Sequence, residues 1–181
     1  MKKTALKKTI LIALFAALIA AGAFIRIPLP PVPITLQTLF ALIAGLLLPL
    51  SVSLPSVLVY LFLGVIGLPI FTSGGGIAAI TGPTGGYLIG LIPAVIVASL
   101  MMRKEKVSYL YTLLVSLLAT VALYIPGLFW LGFSRSLSLG ATLSAGLVPF
   151  IVGDVIKMLV SAFVAVKLRG QVKVLLTEED E

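Results

Sequence analysis

Residues 27–102 read IPLPPVPITLQTLFALIAGLLLPLSVSLPSVLVYLFLGVIGLPIFTSGGGIAAITGPTGGYLIGLIPAVIVASLMM, and none of these side chains carries a charge. A soluble domain has about 25% charged residues, so a run of this length without one leaves almost nothing to face water. The chain as a whole is 60% hydrophobic and 10% charged, with a mean hydropathy of +1.25. It reads as an all-α membrane protein that crosses the bilayer several times.

Working outward from that stretch, the sequence divides into six transmembrane spans within one integral membrane domain covering residues 1–181. They lie at about 9–25, 34–48, 52–68, 85–102, 109–125 and 140–168. The longer ones have enough residues to cross about 30 Å of hydrocarbon as a helix. The first is read as a retained span rather than a cleaved leader, because another span follows it directly instead of a soluble domain.

Lys and Arg set the orientation. Lys2, Lys3, Lys7 and Lys8 precede span one, Arg103, Lys104 and Lys106 separate spans four and five, and Lys167, Arg169 and Lys173 follow span six. The opposite side has only Arg26 and Arg135. Both termini are therefore expected in the cytoplasm, with the chain in the cell membrane. The loops then expected outside are 28–33, 69–84 and 127–139. The acidic end Glu178–Glu181 reads as a solvated tail. The net charge of +7 sits at span ends, which argues against a nucleic-acid partner.

Several chemistries are excluded by what is missing. There is no Cys and no His, which removes the usual zinc, haem and iron–sulfur ligands and the common nucleophile–base pairs. No metal or cofactor is expected. No GxxxxGK[ST] loop is present, so the chain does not bind ATP in the P-loop manner. It does not read as an enzyme; transport by it is passive, ion-coupled or powered by another subunit.

Three features stand out as candidate sites. Asp154 and Lys157 lie near the middle of span six, three residues apart and so on one helix face. Each costs about 2.5–3.5 kcal/mol to insert at the centre of a membrane helix. They read as a structural ion pair, as a polar anchor for a ligand, or, for Asp154, as a proton site. The second feature is Gly82-Pro83-Thr84-Gly85-Gly86-Tyr87. Its glycines let the backbone turn sharply and approach a ligand closely, and Tyr87 can stack on a ligand or mark the interface. The third is PLPPVPITLQ, residues 28–37, a stiff connection followed by Thr35, Gln37 and Thr38. Gln37 can donate and accept and is the better ligand candidate; Thr38 reads as capping and packing. Span one adds small residues at four-residue spacing, Ala13, Ala17 and Ala21, with Ala16 and Ala20 on an adjacent line. Such faces let helices approach closely in lipid, either inside the bundle or against another subunit.

Taken in order, ALFAALIAAGAFIRIPLPPVPITLQTLF (13–40), YLFLGVIGLPIF (60–71), GPTGGYLIG (82–90) and GDVIK (153–157) resemble the BioY family, the biotin-specific S components of energy-coupling-factor (ECF) transporters. The resemblance implies a six-helix protein that binds biotin in a pocket open to the outside. It implies docking through span one, by Ala13, Ala17, Ala16 and Ala20, onto a transmembrane coupling subunit that carries two ATPase subunits. It gives Asp154 and Lys157 the role of hydrogen-bonding the biotin head. Thr35, Gln37, Gly86 and Tyr87 complete the expected substrate-binding set. Arg135, Thr84 and loop amides are the donors open to the ligand carboxylate. The competing reading is a solitary proton-coupled transporter of a small vitamin-like solute. An intramembrane Ser/Lys hydrolase using Lys157 is the weakest alternative.

Overall fold

A computed structural model describes residues 2–104 and 107–177, without the side chains of residues 2, 3 and 177. The expectations for Lys106 and the tail Glu178–Glu181 lie outside the described residues. The chain is mostly helical. Helix α1 (Lys2–Phe24) leads into a two-stranded hairpin, β1 (Arg26–Ile27) and β2 (Ile34–Thr35), paired antiparallel with Arg26 opposite Thr35. Then come α2 (Gln37–Leu47), α3 (Leu50–Val65), a short α4 (Ile77–Thr81), α5 (Gly85–Met101), α6 (Tyr109–Arg135), α7 (Leu139–Gly146), a 3-10 turn (Val148–Phe150) and α8 (Ile151–Thr177).

The local reasons are readable. Prolines 28, 30, 31 and 33 lack N–H donors and keep the α1–α2 connection out of helix. The hairpin is tied back by Leu36 N–H, which donates to the carbonyls of Gly22 and Ile25 at 3.0 and 3.1 Å. Ser108 opens α6 by accepting from Tyr111 N–H, and Ser138 opens α7 by accepting from Ala141 N–H, as N-cap serines do.

Three segments are long and apolar enough to cross a membrane: Thr4–Phe24, Tyr109–Arg135 and Leu139–Leu176. Helices α2, α3 and α5 are apolar but shorter. With 11 residues, α2 rises about 16 Å, and it is the most enclosed helix, with Ala44 and Leu46 fully buried.

The structure corrects several sequence boundaries. Span two was expected from residue 34, but 34–35 are strand and the helix begins at Gln37. Span five was expected to end near Ile125, with 127–139 as an outer loop. Instead α6 runs through Pro126 to Arg135. Packing against α5 holds the helix together across the missing proline donor, as neighbouring helices do in membranes. Span six was expected as one helix from 140 to 168. It breaks at Leu147, two residues before Pro149, which lacks the N–H that a continuing helix would donate, and α8 restarts at Ile151. Asp154 therefore lies in the first turn of α8, at a helix start inside the Leu139–Leu176 segment. The segment 69–84 is not a simple loop. It carries α4, a Phe71–Gly74 bridge, and a Gly76 N–H bond to the Gly64 carbonyl of α3 at 2.7 Å.

Helices α5 and α6 pack closely. A Cβ on Gly90 would lie 2.5 Å from the Leu123 carbonyl oxygen, and one on Gly86 would collide with Pro126 and Trp130. These two glycines let the backbones meet, which fixes Tyr87 of α5 beside Tyr124 of α6 with ring centroids 5.9 Å apart.

Candidate functional site

The first turns of α2, α5 and α8 meet at one end of the bundle, beneath the hairpin and the 69–84 segment. They enclose a pocket of about 690 Å³, its open mouth included. Val32, Pro33 and Thr35 come from the hairpin, and Gln37, Thr38 and Leu42 from α2. Tyr87, Leu88 and Leu91 of α5 face Thr120, Leu123 and Tyr124 of α6. Phe150, Asp154 and Lys157 close the α8 side, and Thr72 and Thr84 come from the intervening segment. The wall is apolar and aromatic with a few convergent polar groups, the usual make-up of a small-molecule site.

Those polar groups form one connected cluster. Lys157 Nζ donates to Asp154 Oδ1 at 2.9 Å and to Thr38 Oγ1 at 3.0 Å. The Tyr124 hydroxyl donates to Asp154 Oδ2. Both charged side chains are largely buried, at 7% exposure for Lys157 and 13% for Asp154. The position of Asp154 in the first turn of α8 helps, because unpaired N–H groups there carry partial positive charge.

The cluster leaves binding capacity unspent. An ammonium has three donors; two are committed here, so one is left for a ligand acceptor. An ionised carboxylate has about four acceptor positions, and Asp154 uses two. Gln37 is buried at 7% exposure and lines the same pocket.

Tyr87 stands across the pocket. Its hydroxyl donates to the Gly146 carbonyl at 2.8 Å, and its ring is tilted against Phe150 at 6.5 Å. This bond anchors the last residue of α7, just before the helix break.

Of the residues singled out from the sequence, Asp154, Lys157, Tyr87, Gln37 and Thr35 line this one pocket. Thr35 Oγ1 accepts from Gln37 N–H at 3.3 Å and so shapes the start of α2. Gly86 does not line it; it is the close-approach position between α5 and α6. Arg135 is also outside the lining, exposed at the end of α6. Thr38 is no cap but the second partner of Lys157. Tyr124 went unnoticed because nothing in its spacing connects it to Asp154, thirty positions away; a tyrosine inside an apolar span was the one available signal.

The alanines of α1 divide. Ala13 and Ala17 are exposed beside Leu6, Ile10 and Leu14. Ala16 is buried at 5%, and Ala20 packs against the same core.

The chain matches the model of the BioY family over residues 1–174. It is similar to a probable biotin transporter BioY of Pyrococcus horikoshii, 39% identical over 165 residues, covering 91% of this chain and 97% of that one. It is similar to the biotin transporter BioY of Thermotoga maritima, 38% identical over 157 residues, covering 86% and 92%. Among solved structures it resembles the S-component for biotin from an ECF-type ABC transporter, with a TM-score of 0.87, 31% identity and coverage of 94% and 95%. Sequence and fold agree over nearly the whole length, and the chain belongs to the BioY family.

Proposed function

We propose that this chain is the biotin-capturing S component of an ECF-type importer. Its six spans are α1, α2, α3, α5, α6 and the α7–α8 pair, and both termini are cytoplasmic. The short α2 is workable in this arrangement because the irregular backbone at its ends is enclosed by protein. The orientation is supported by the basic residues. Lys7, Lys8, Arg103, Lys104 and Lys173 belong to the end away from the pocket, so the positive-inside rule puts the pocket mouth outside.

The observation that carries the reading is the Asp154–Lys157–Thr38–Tyr124 cluster on the wall of an apolar pocket. Biotin presents a ureido head with two N–H donors and one carbonyl. Asp154 accepts from an N–H, the third Lys157 donor takes the carbonyl, and the Gln37 amide serves either. Tyr87, Tyr124 and Phe150 supply a wall for the sulfur ring and the hydrocarbon chain. Thr72 and Thr84 are the hydroxyls left for the carboxylate. Ala13 and Ala17 form the exposed small-residue face that meets the coupling subunit, and partner ATPases supply the energy.

The test is uptake of tritiated biotin. Cells that express this chain with a coupling subunit and two ATPases should accumulate biotin, and Asp154→Asn should abolish it. Accumulation by proteoliposomes of the chain alone, driven by a pH gradient without ATP, would overturn the S-component reading in favour of a solitary transporter.

A further inference from the structure

At the end of the bundle opposite the pocket lies an open groove of about 1010 Å³, its mouth included. One wall is apolar, made by Leu47, Leu48 and Leu50 at the α2–α3 turn and Val172 and Leu176 of α8. The other is basic, made by Arg103, Arg169 and Lys173. No acidic side chain lines the groove among the described residues.

Arg169 forms the floor on the basic side. One guanidinium nitrogen donates to the Leu46 carbonyl at 3.3 Å. The other donates to the Met102 carbonyl and to that of Lys104 at 3.0 Å. These carbonyls lie at or beyond the C-terminal ends of α2 and α5, where helices leave acceptors unpaired and favour a cation. The arginine thus ties three segments together. It also keeps donors in reserve: three of five N–H groups are committed, which leaves two without a protein acceptor among the described residues. No carboxylate neutralises Arg103 or Arg169 there either; the one described carboxylate, Asp154, is held by Lys157 in the pocket.

We infer that this groove binds one anionic glycerophospholipid, with its phosphate between Arg103 and Arg169 and an acyl chain along Leu47, Leu48, Val172 and Leu176. Charge complementarity selects an anion, and the apolar wall selects one that carries a hydrocarbon chain. Basic pockets between membrane helices hold lipid headgroups on the same grounds. The chain's own acidic end, Glu178–Glu181, follows soon after Leu176, but four consecutive acidic residues have no use for the leucine wall. A bound lipid would cross-link α2, α5 and α8 where Arg169 already joins them, and would hold that end of the bundle at the membrane surface.

The experiment is native mass spectrometry of the detergent-purified full chain with dioleoylphosphatidylglycerol and dioleoylphosphatidylcholine. The wild type should retain phosphatidylglycerol in preference by tenfold or more. Arg103→Gln removes one basic group without touching the Arg169 bonds. It should lower that preference about fivefold, roughly one surface-charge contribution, with elution volume and helical signal unchanged. Millimolar inorganic phosphate should not displace the lipid. Equal retention of both lipids, an undiminished preference in the variant, or full displacement by phosphate would each overturn the proposal. So would phosphatidylglycerol binding that appears only after truncation behind Thr177, since the tail would then be the occupant.

Discussion

Replacing Lys157 with Met keeps an unbranched side chain of similar length and removes the ammonium. Asp154 then keeps its Tyr124 bond but loses its counter-charge at 2.9 Å, in a site where the carboxylate is 13% exposed. Breaking a buried pair from one side costs about 3–5 kcal/mol, mostly because a charge is left without compensation. At roughly 2–4 °C per kcal/mol for a chain of this size, the thermal midpoint should fall by about 6–20 °C. Removing both charges should hurt less than removing one. Asp154→Asn with Lys157→Met leaves an amide that still accepts from Tyr124 and no charge to compensate, so the double variant should recover to within about 2 kcal/mol of wild type. The assay is circular-dichroism melting in one detergent for the wild type, both single variants and the double variant, read as a double-mutant cycle. A coupling of about 2 kcal/mol or more is expected. If the single losses simply add, the two charges do not act as a buried pair, and the reasoning from the cluster fails.

Other outcomes follow from the same geometry. Gln37→Leu should leave melting within a few degrees but weaken biotin binding about 10-fold, the worth of one ordinary hydrogen bond, measured by titration. Ala17→Leu, on the exposed line of α1, should bind biotin normally and fail to co-purify with the coupling subunit. Ala16→Leu, at a position 5% exposed, should instead lower the melting temperature of the isolated chain. Gly86→Leu should prevent the α5–α6 approach, because even a Cβ collides with Trp130; the expected result is aggregation on size exclusion rather than a folded protein that lacks binding.

The sequence conveyed the membrane class and the Asp154–Lys157 contact because both are local signals: an unbroken apolar run, and a three-residue spacing that a helix converts directly into proximity. It did not convey the rest of the cluster. Thr38 reaches Lys157 across 119 positions, and no spacing rule connects them. Two boundaries moved in opposite directions. The span expected to end near Ile125 continues past Pro126, where the tight α5–α6 packing carries the helix. The span expected as one helix from 140 to 168 breaks at Leu147, which places Asp154 at a helix start. Gly86 was expected to bring its backbone close to a ligand; what approaches it is α6. The division of the α1 alanines is a matter of one helix's rotation, which the sequence pattern alone leaves open.

The most direct test of the central claim is calorimetric titration of biotin into the detergent-purified chain, with Asp154→Asn beside it. Near-stoichiometric, tight binding by the wild type, lost or strongly weakened in a variant that still melts as a folded protein, is the predicted result. Absence of binding by folded wild-type protein, or wild-type affinity in Asp154→Asn, would contradict the account.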